Sequence, residues 1–242
     1  MHLKAISRLK TILIDEYRLN GELTHLEGEI ENNFKIQTTH GDSFILKVYG
    51  SERNNQFLDF QEKILLYLSD NHQNLFVPKI IKTTNGRLST FFIDEIGDKR
   101  NIMLISWIPG RVWNQVNPHT KKLRFNLGFT CGSISKALNN FDHKFAHRYF
   151  DWDIAQGLWT KEYLGLFKSN DKKLILGMLE EFERIQPKYN KLKKSVVHND
   201  ANNFNCIVSE DVLNPEVVAL IDYGDAIYTQ VINDVAISCC YA

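Results

Sequence analysis

Hydrophobic positions in the first fifty residues change from a helical spacing to an alternating one. Apolar side chains at helical spacing across residues 3–18 predict a short amphipathic helix. From Gly21 to Gly50, short apolar runs separated by polar turns predict three antiparallel strands. We place these strands at HLEGEI, FKIQTT and SFILKVYG.

The next sixty residues add one helix and two strands. In FLDFQEKILLYL, four apolar side chains share one face of a helix: Phe57, Phe60, Ile64 and Leu68. The runs STFFIDEI and NIMLISWI predict two more strands, separated by a turn at Gly97-Asp98. We therefore expect a small five-stranded antiparallel sheet with one helix in this part of the chain.

The second half of the chain is predicted to be mainly helical, and the composition changes at Pro109-Gly110. The predicted helices are Leu123–Leu138, Leu174–Ile185 and the final run VINDVAISCCYA. Pro187 is expected to end the second of them. The pattern indicates an α+β fold of two lobes, residues 1–108 and residues 109–242.

Composition narrows the class of protein. The 29 basic and 29 acidic residues balance, which gives no support for a nucleic-acid partner. No apolar run approaches the roughly 20 residues that cross a bilayer, so we expect no membrane partner. The four cysteines show no Cys-x-x-Cys spacing and are expected as free thiols in a reducing, cytoplasmic setting.

Candidate chemistry lies in SVVHNDANNFNCIV, residues 195–208, where polar side chains separate two apolar runs. We interpret the runs as a strand hairpin that holds a polar loop. The carboxylate of Asp200 can accept a hydroxyl proton, and oxygens of Asn205 and Asp222 are hard ligands suited to Mg²⁺. The alternative is a polar loop whose asparagines merely tolerate positive φ. A calcium loop fits poorly because Phe204 occupies a ligand position and the required glycine is missing.

The order H-x-D-x-x-x-x-N followed by I-D-x-G-D resembles the catalytic and metal-binding loops of the aminoglycoside phosphotransferase and choline kinase family. The run DYGDAIYTQVINDVAISCCYA is most similar to the hydroxylysine-kinase-like branch. The resemblance covers about residues 20–242. It implies a two-lobed protein-kinase-like fold, ATP and Mg²⁺ as cofactors, and a small amine-bearing hydroxyl acceptor. It also implies Asp200 as catalytic base, with Asn205 and Asp222 as metal ligands.

Upstream segments fall in the order that this resemblance requires. The run ILKVY places Lys47 at the position of the family's phosphate-binding lysine. The run HLEGEIENNF lies at the position of the hairpin that covers the phosphates in the family. In that hairpin, Asn32 and Asn33 are expected in turn conformations in place of glycine. MLISWIPG resembles the hinge, so backbone groups of Ser106 and Ile108 are expected to contact the base. These residues and the catalytic set are expected to meet around one nucleotide.

The chain departs from the family pattern at two places. The family pairs its strand lysine with a glutamate, but the matching helical position here is Gln61, with Glu62 beside it. Which of the two pairs with Lys47 stays open. Family members also continue beyond the last helix, so the resemblance implies an incomplete acceptor pocket, and a longer protein with further fused domains.

Other polar residues near the motif have structural interpretations. His198 and Asp234 are expected to brace the loop, and Asp225 either caps the following helix or contacts metal or substrate. Trp152 and Asp153 resemble a Trp-Asp feature of the same branch; the alternative is a buried indole beside a helix cap. The acceptor stays open among hydroxylysine, homoserine, choline or ethanolamine, and aminoglycosides, as does the choice of ATP or GTP. A non-catalytic nucleotide-binding regulatory domain is the other functional class.

Overall fold

The structure is a computed structural model that describes residues 3–26, 28 and 31–242. Its contacts divide the chain into two compact units, Met1–Pro109 (unit 1) and Gly110–Ala242 (unit 2). Among the helices of the described residues, none is both long and apolar enough to cross a membrane.

Unit 1 is built on an antiparallel sheet with the strand order β1-β2-β3-β5-β4. Its strands are β1 (Gly21–Leu26), β2 (Asn32–Thr38), β3 (Ser43–Val48), β4 (Thr90–Ile93) and β5 (Lys99–Ser106). The two helices that the structure describes in this unit are α1 (Leu3–Tyr17) and α2 (Asn55–Asn71). The sequence thus predicts the meander, the strand pair around Gly97-Asp98 and both helices.

The first strand lies four residues earlier than the predicted HLEGEI. In the β1–β2 ladder Gly21 pairs with Thr38 and Leu23 pairs with Ile36. A Cβ at Gly21 would lie 2.5 Å from the Gln37 carbonyl oxygen, so a glycine is needed where the two backbones approach closely. Residues 27, 29 and 30 of the predicted strand and phosphate-covering hairpin lie outside the described residues.

The two faces of this sheet have different chemistry. One face packs against Leu9, Leu13 and Tyr17 of α1. Its buried strand residues are Phe34, Ile36, Leu46, Val48, Ile102 and Leu104. Because successive side chains of a strand point to opposite faces, Lys47 and Met103 lie on the other face. The face toward α1 is therefore apolar, whereas the opposite face combines the apolar side chain of Met103 with the ammonium of Lys47.

Helix α2 begins at a capped end, where the side chain of Asn54 accepts a hydrogen bond of 2.9 Å from the Phe57 amide. Its buried stripe contains Phe57, Phe60, Gln61, Ile64, Leu65 and Leu68, so the predicted apolar face also includes a glutamine. The rings of Phe57 and Tyr49 meet edge to face with centroids 5.7 Å apart, and the Tyr49 hydroxyl donates to the Met103 sulfur. These contacts place α2 against the face of the sheet that carries Lys47.

Unit 2 contains short strands and three α-helices among the described residues. The strands are β6 (Arg111–Val112), β7 (Lys194–Val197), β8 (Cys206–Val208), β9 (Val217–Leu220) and β10 (Ile227–Gln230). The helices are α3 (Lys121–Ala137), α4 (Ser169–Tyr189) and α5 (Ile232–Tyr241). The 3₁₀-helical segments are Trp113–Gln115, Leu138–Asn140, Lys144–His147 and Ile154–Leu166. The prediction that Pro187 ends helix α4 is wrong: the helix continues for two more residues, because the proline removes only its own N–H and the Asn190 amide still donates to the Gln186 carbonyl at 2.9 Å.

The predicted hairpin around the polar loop is wrong. Strand β7 pairs with β10, whereas β8 lies between β6 and β9 in a separate sheet. No strand is predicted for residues 227–230, yet Ile227 pairs with Val197 across the β7–β10 ladder. The polar loop therefore passes from one small sheet to another, and both sheets fix its ends.

Candidate functional site

The polar loop of unit 2 is organised around the imidazole of His198, which is completely buried. Its Nδ1 accepts a hydrogen bond of 3.2 Å from the Asp200 amide, so Nε2 carries the proton and donates to the Ile221 carbonyl at 3.0 Å. Burial lowers the pKa of His198, which favours this neutral form. His198 braces the loop, as the sequence predicts.

Asp234 is the second brace. Its carboxylate accepts from the amides of His198 at 3.2 Å and Asn199 at 2.8 Å, and from the Ser135 hydroxyl at 2.9 Å. Asn199 has a φ of 65°, a left-handed conformation that asparagine tolerates better than most residues. The backbone leading into Asp200 is thus fixed from helix α5, which carries Asp234.

Asp200 is held by two asparagine side chains. Asn202 donates to its Oδ1 at 2.8 Å, and Asn205 donates to its Oδ2 at 2.6 Å. Burial, followed by the nearby charge of Asp225 and that of Asp222, raises the pKa of Asp200 to about 7 despite these hydrogen bonds. A carboxyl group that titrates near neutral pH suits a general base.

Asn205 and Asp222 lie at the same end of the β8–β9 ladder. Cys206 pairs with Leu220, and the Ile221 amide donates to the Asn205 carbonyl at 2.9 Å. Because the Asn205 side-chain nitrogen is bonded to Asp200, the amide oxygen is directed away from that carboxylate. Asp222 has a φ of 62°, and its Oδ1 accepts from the Gly224 amide at 3.2 Å.

This pair of side chains fits a magnesium ion that is shared with phosphate. Both supply hard oxygen donors, which Mg²⁺ prefers over nitrogen or sulfur. Within the described residues, no three His, Cys, Asp or Glu side chains group closely enough to hold a metal. An ion at Asn205 and Asp222 would therefore take its remaining ligands from phosphate oxygens and water, a common arrangement for Mg²⁺.

Two structural interpretations of the sequence need correction. Asp225 does not cap a helix, since β10 follows it before α5 begins; its charge instead contributes to the raised pKa of Asp200. Trp152 is not buried, with 74% of its surface exposed. The neighbouring Asp153 is buried and caps the segment Ile154–Leu166 through a 3.0 Å bond from the Ala155 amide, as the cap interpretation predicts.

A second polar group lies on one face of the sheet in unit 1. Lys47 belongs to β3 and is only 7% exposed, so its side chain is not that of an ordinary solvent-exposed lysine. It lies directly opposite Asn33 on β2 and Met103 on β5. The side-chain oxygen of Asn33 is buried without a hydrogen-bond partner among the described residues. Buried polar atoms without partners are rare in folded proteins and often mark functional positions.

Asn32 and Asn33 do not adopt the predicted turn conformations. Both belong to β2, and neither has a positive φ. Pairing of Asn33 with Leu26 and of Asn32 with Val48 starts β2 two residues before the predicted strand FKIQTT. Asn33 therefore contributes its side chain beside Lys47 rather than a turn amide.

The structure distinguishes Gln61 from Glu62. Gln61 is 2% exposed and lies in the buried stripe of α2, which packs against the face carrying Lys47. Glu62 is half-buried and its carboxylate is hydrogen-bonded to Ser89. Burial, only partly offset by that hydrogen bond, raises the pKa of Glu62. Position 61 is thus the one that faces the lysine's side of the sheet.

The hinge segment ends β5. The Ser106 amide donates to the Lys79 carbonyl at 2.8 Å, and its hydroxyl accepts from the Lys79 amide at 2.9 Å. Any contact of Ser106 with a nucleotide base therefore rests on its carbonyl oxygen. Ile108 is buried, with 8% exposure, three residues before β6.

The family comparison decides the class of this protein. The model of the phosphotransferase enzyme family (APH) matches residues 22–242, which is most of the chain. The chain belongs to the phosphotransferase enzyme family. It is therefore a small-molecule phosphotransferase, as the order of its motifs predicts. No curated protein sequence matches it.

Solved structures of low sequence identity share the fold of this phosphotransferase. An amicoumacin kinase in complex with AMP-PNP, Ca²⁺ and Ami has a TM-score of 0.71 and 19% identity, covering 98% of this chain and 70% of that one. A microcompartment-associated aminopropanol kinase has a TM-score of 0.73 and 15% identity, with 96% and 73% covered. A spectinomycin phosphotransferase in complex with ADP and its antibiotic has a TM-score of 0.58 and 14% identity, with 95% and 71% covered.

Sequence reasoning misses one residue of the phosphotransferase site. Asn202 bonds Asp200 through its nitrogen, while its oxygen accepts from the amides of Phe204 and Asn205 at 2.8 and 3.0 Å. One side chain thus fixes both the carboxylate of Asp200 and the backbone that carries Asn205. The signal is present as Asp-x-Asn, but that spacing by itself suggests only the start of a calcium loop.

Proposed function

We propose that this phosphotransferase moves the γ-phosphoryl group of ATP to the hydroxyl of a small, amine-bearing metabolite. The observation that carries the proposal is the carboxylate of Asp200, whose pKa is about 7 and which two asparagines hold at 2.8 and 2.6 Å. A carboxylate fixed in this way accepts a proton from a bound alcohol without reorganising.

The residues of unit 2 carry the chemical step. Asp200 takes the proton of the acceptor hydroxyl as that oxygen forms a bond to the γ-phosphorus, while the bond from the γ-phosphorus to the β-phosphate oxygen breaks and ADP leaves. Asn205 and Asp222 would hold Mg²⁺ through their side-chain oxygens. When bound, that ion supplies positive charge for the phosphate oxygens. His198 and Asp234 keep the loop in place and do not transfer protons.

The residues of unit 1 bind the nucleotide in this proposal. The ammonium of Lys47 contacts phosphate, with Asn33 beside it and Gln61 as its orienting partner. Glu62 is the weaker choice because its carboxylate is bonded to Ser89. The carbonyl of Ser106 and the backbone of Ile108 contact the base. Related folds were solved with AMP-PNP, ADP or GDP, so both ATP and GTP should be tested.

An amine-bearing acceptor suits the charge around the base. Asp222 and Asp225 are close enough to raise the pKa of Asp200, and acidic surroundings favour a cationic substrate. Kinases of similar fold act on aminopropanol or bind spectinomycin, by their names. We propose an acceptor of the hydroxylysine, homoserine, choline, ethanolamine or aminoglycoside type, and a cytoplasmic location, where ATP is supplied.

The proposal is tested by acceptor-dependent release of ADP. The chain is incubated with Mg²⁺ and ATP or GTP against a panel of amino alcohols and aminoglycosides, and products are identified by mass spectrometry. We expect one acceptor class to release ADP and gain a phosphate, and Asp200→Asn to abolish most of that release. Nucleotide binding without ADP release for any acceptor would instead favour a non-catalytic nucleotide-binding domain.

A further inference from the structure

Arg148 makes an unusual set of contacts in unit 2. Its Nη1 donates to the carbonyls of Ala226 at 2.9 Å and Phe145 at 3.2 Å, and its Nη2 donates to the carbonyl of Gly224 at 3.4 Å. The guanidinium carbon lies 4.7 Å from the ring centroid of Phe145 and 4.9 Å from that of Phe150. Two aromatic rings therefore hold the guanidinium while it bonds to two carbonyls on either side of residue 225.

Those two carbonyls belong to the turn that carries Asp222. One side of the turn is tied down at Ile221, whose amide donates to Asn205 and whose carbonyl accepts from His198. The other side is bound by Arg148 at residues 224 and 226. Asp222 itself has a left-handed backbone with a φ of 62°. A non-glycine residue keeps such a conformation only when its surroundings impose it.

We propose that Arg148 is a positioning residue for the metal-binding turn, and that it fixes the carboxylate of Asp222 without touching metal or nucleotide. This inference rests on the proposed function of Asp222. A planar guanidinium with several fixed donors can span two carbonyls, whereas a lysine ammonium is a single point charge on a flexible stem. Lysine at position 148 therefore restores the charge but only part of the positioning.

The test measures how nucleotide binding depends on Mg²⁺. Binding of an ATP analogue to the folded chain is followed by calorimetry across a Mg²⁺ titration for wild type, Arg148→Met and Arg148→Lys. We expect Arg148→Met to raise the half-saturating Mg²⁺ concentration about tenfold or more, because residues that orient a metal ligand commonly contribute that much. The half-saturating Mg²⁺ concentration of Arg148→Lys should lie between those of wild type and Arg148→Met. Nucleotide affinity without Mg²⁺ should change by less than about twofold in both variants.

Two control variants separate positioning from general stability. Leu127→Ala removes a buried side chain of α3, a helix that is not part of the turn, and should lower the unfolding temperature. Arg184→Met removes an exposed arginine whose ion pair is with Glu181 on its own helix. Both controls should keep the wild-type Mg²⁺ dependence, even where Leu127→Ala unfolds at as low a temperature as Arg148→Met.

The results distinguish a wrong role for Arg148 from a wrong proposed function. If Asp222→Ala loses Mg²⁺-dependent binding but the Arg148 variants keep the wild-type titration, the role of Arg148 is wrong and the proposed function stands. The role of Arg148 is equally wrong if Leu127→Ala shifts the titration as far as Arg148→Met. If the wild type shows no Mg²⁺-dependent binding, the proposed function is wrong and this inference with it. Should Arg148→Met not fold, Arg148→Lys decides by the same criterion.

Discussion

The side-chain nitrogen of Asn205 lies 2.6 Å from Oδ2 of Asp200 and 3.0 Å from the Asp200 main-chain oxygen. This one amide therefore binds the proposed base through its nitrogen and presents its oxygen to the proposed metal. An aspartate at position 205 would keep an oxygen ligand but would bring a second negative charge against Asp200. The two functions of the side chain can thus be separated by mutation.

We predict that Asn205→Asp keeps Mg²⁺-dependent nucleotide binding but loses turnover at pH 7. Two adjacent carboxylates share a proton, so the pKa of Asp200 should rise further and the acidic limb of the rate profile should move up by about 1–2 pH units. Rates measured from pH 6 to pH 9.5 would show this movement. Asn205→Ala, which lacks both functions, should lose binding as well. If the pH–rate profile of Asn205→Asp does not move, the contact between Asn205 and Asp200 does not determine the pKa of the proposed base.

Asp200→Asn is predicted to lower turnover by about 10²–10⁴, because it removes proton acceptance from the chemical step. Nucleotide affinity should stay nearly the same, since no role in nucleotide binding is assigned to this side chain. The measurement is steady-state ADP release together with calorimetric nucleotide binding. Asp211→Asn serves as a control because Asp211 bonds the amides of Leu213 and Asn214 in an exposed loop, and asparagine can accept the same bonds. Unchanged turnover in Asp200→Asn would rule out the assigned base.

The raised pKa of Asp200 also predicts a pH dependence of stability in the metal-free chain. A carboxyl whose pKa is near 7 when folded and 3.8 when unfolded binds more protons in the folded state between these values. Its contribution to stability is therefore present below about pH 4 and is lost as the pH rises through 7. With a discount for partial exposure, wild type should lose about 2 kcal/mol relative to Asp200→Asn between pH 5 and pH 8.

Denaturant unfolding of both proteins at the two pH values measures this difference. A constant offset between them is expected from altered hydrogen bonds to Asn202 and Asn205, so only the change with pH is informative. An equal pH dependence in wild type and Asp200→Asn would show that the carboxylate is ionised in the folded protein already at pH 5.

Much of this fold could be predicted because its elements follow local periodicity. Fewer than twenty consecutive residues are enough to specify each of three elements: the buried stripe of α2, the strand that carries Lys47, and the turn at Gly97. The hairpin prediction for residues 195–208 fails because pairing of β7 with β10 joins segments about thirty residues apart, and no local pattern specifies that partner.

The site shows the same division between local and long-range information. Spacing singles out Asp200, Asn205 and Asp222, and the roles proposed for them come from the resemblance to the family. The hydrogen bonds of Asn202 and the clamp from Arg148 depend on side-chain directions and distant contacts, which spacing does not contain. The turn conformation predicted for Asn33 is wrong, because its place in β2 opposite Lys47 depends on strand pairing that spacing does not contain.

The residue at position 61 gives the last prediction. Gln61 is buried in the stripe of α2, and α2 packs through Phe57 and Tyr49 against the sheet face of Lys47. If Lys47 is the cation that Gln61 orients, then Gln61→Glu places a carboxylate where an ammonium neutralises it. Stability should then change by no more than about 1 kcal/mol, whereas a buried carboxylate without a cation costs about 3 kcal/mol or more.

Urea unfolding of Gln61→Glu at pH 7 measures that change, and Lys47→Met in the same background tests the partner. The double variant should be less stable than the sum of the two single changes predicts, because the new carboxylate then loses its cation. Glu62→Gln is the matched control, since Glu62 is bonded to Ser89 and its loss should not depend on Lys47. If the effects of Gln61→Glu and Lys47→Met are additive, the side chain at position 61 does not interact with Lys47. Another residue of unit 1 would then have to orient the lysine.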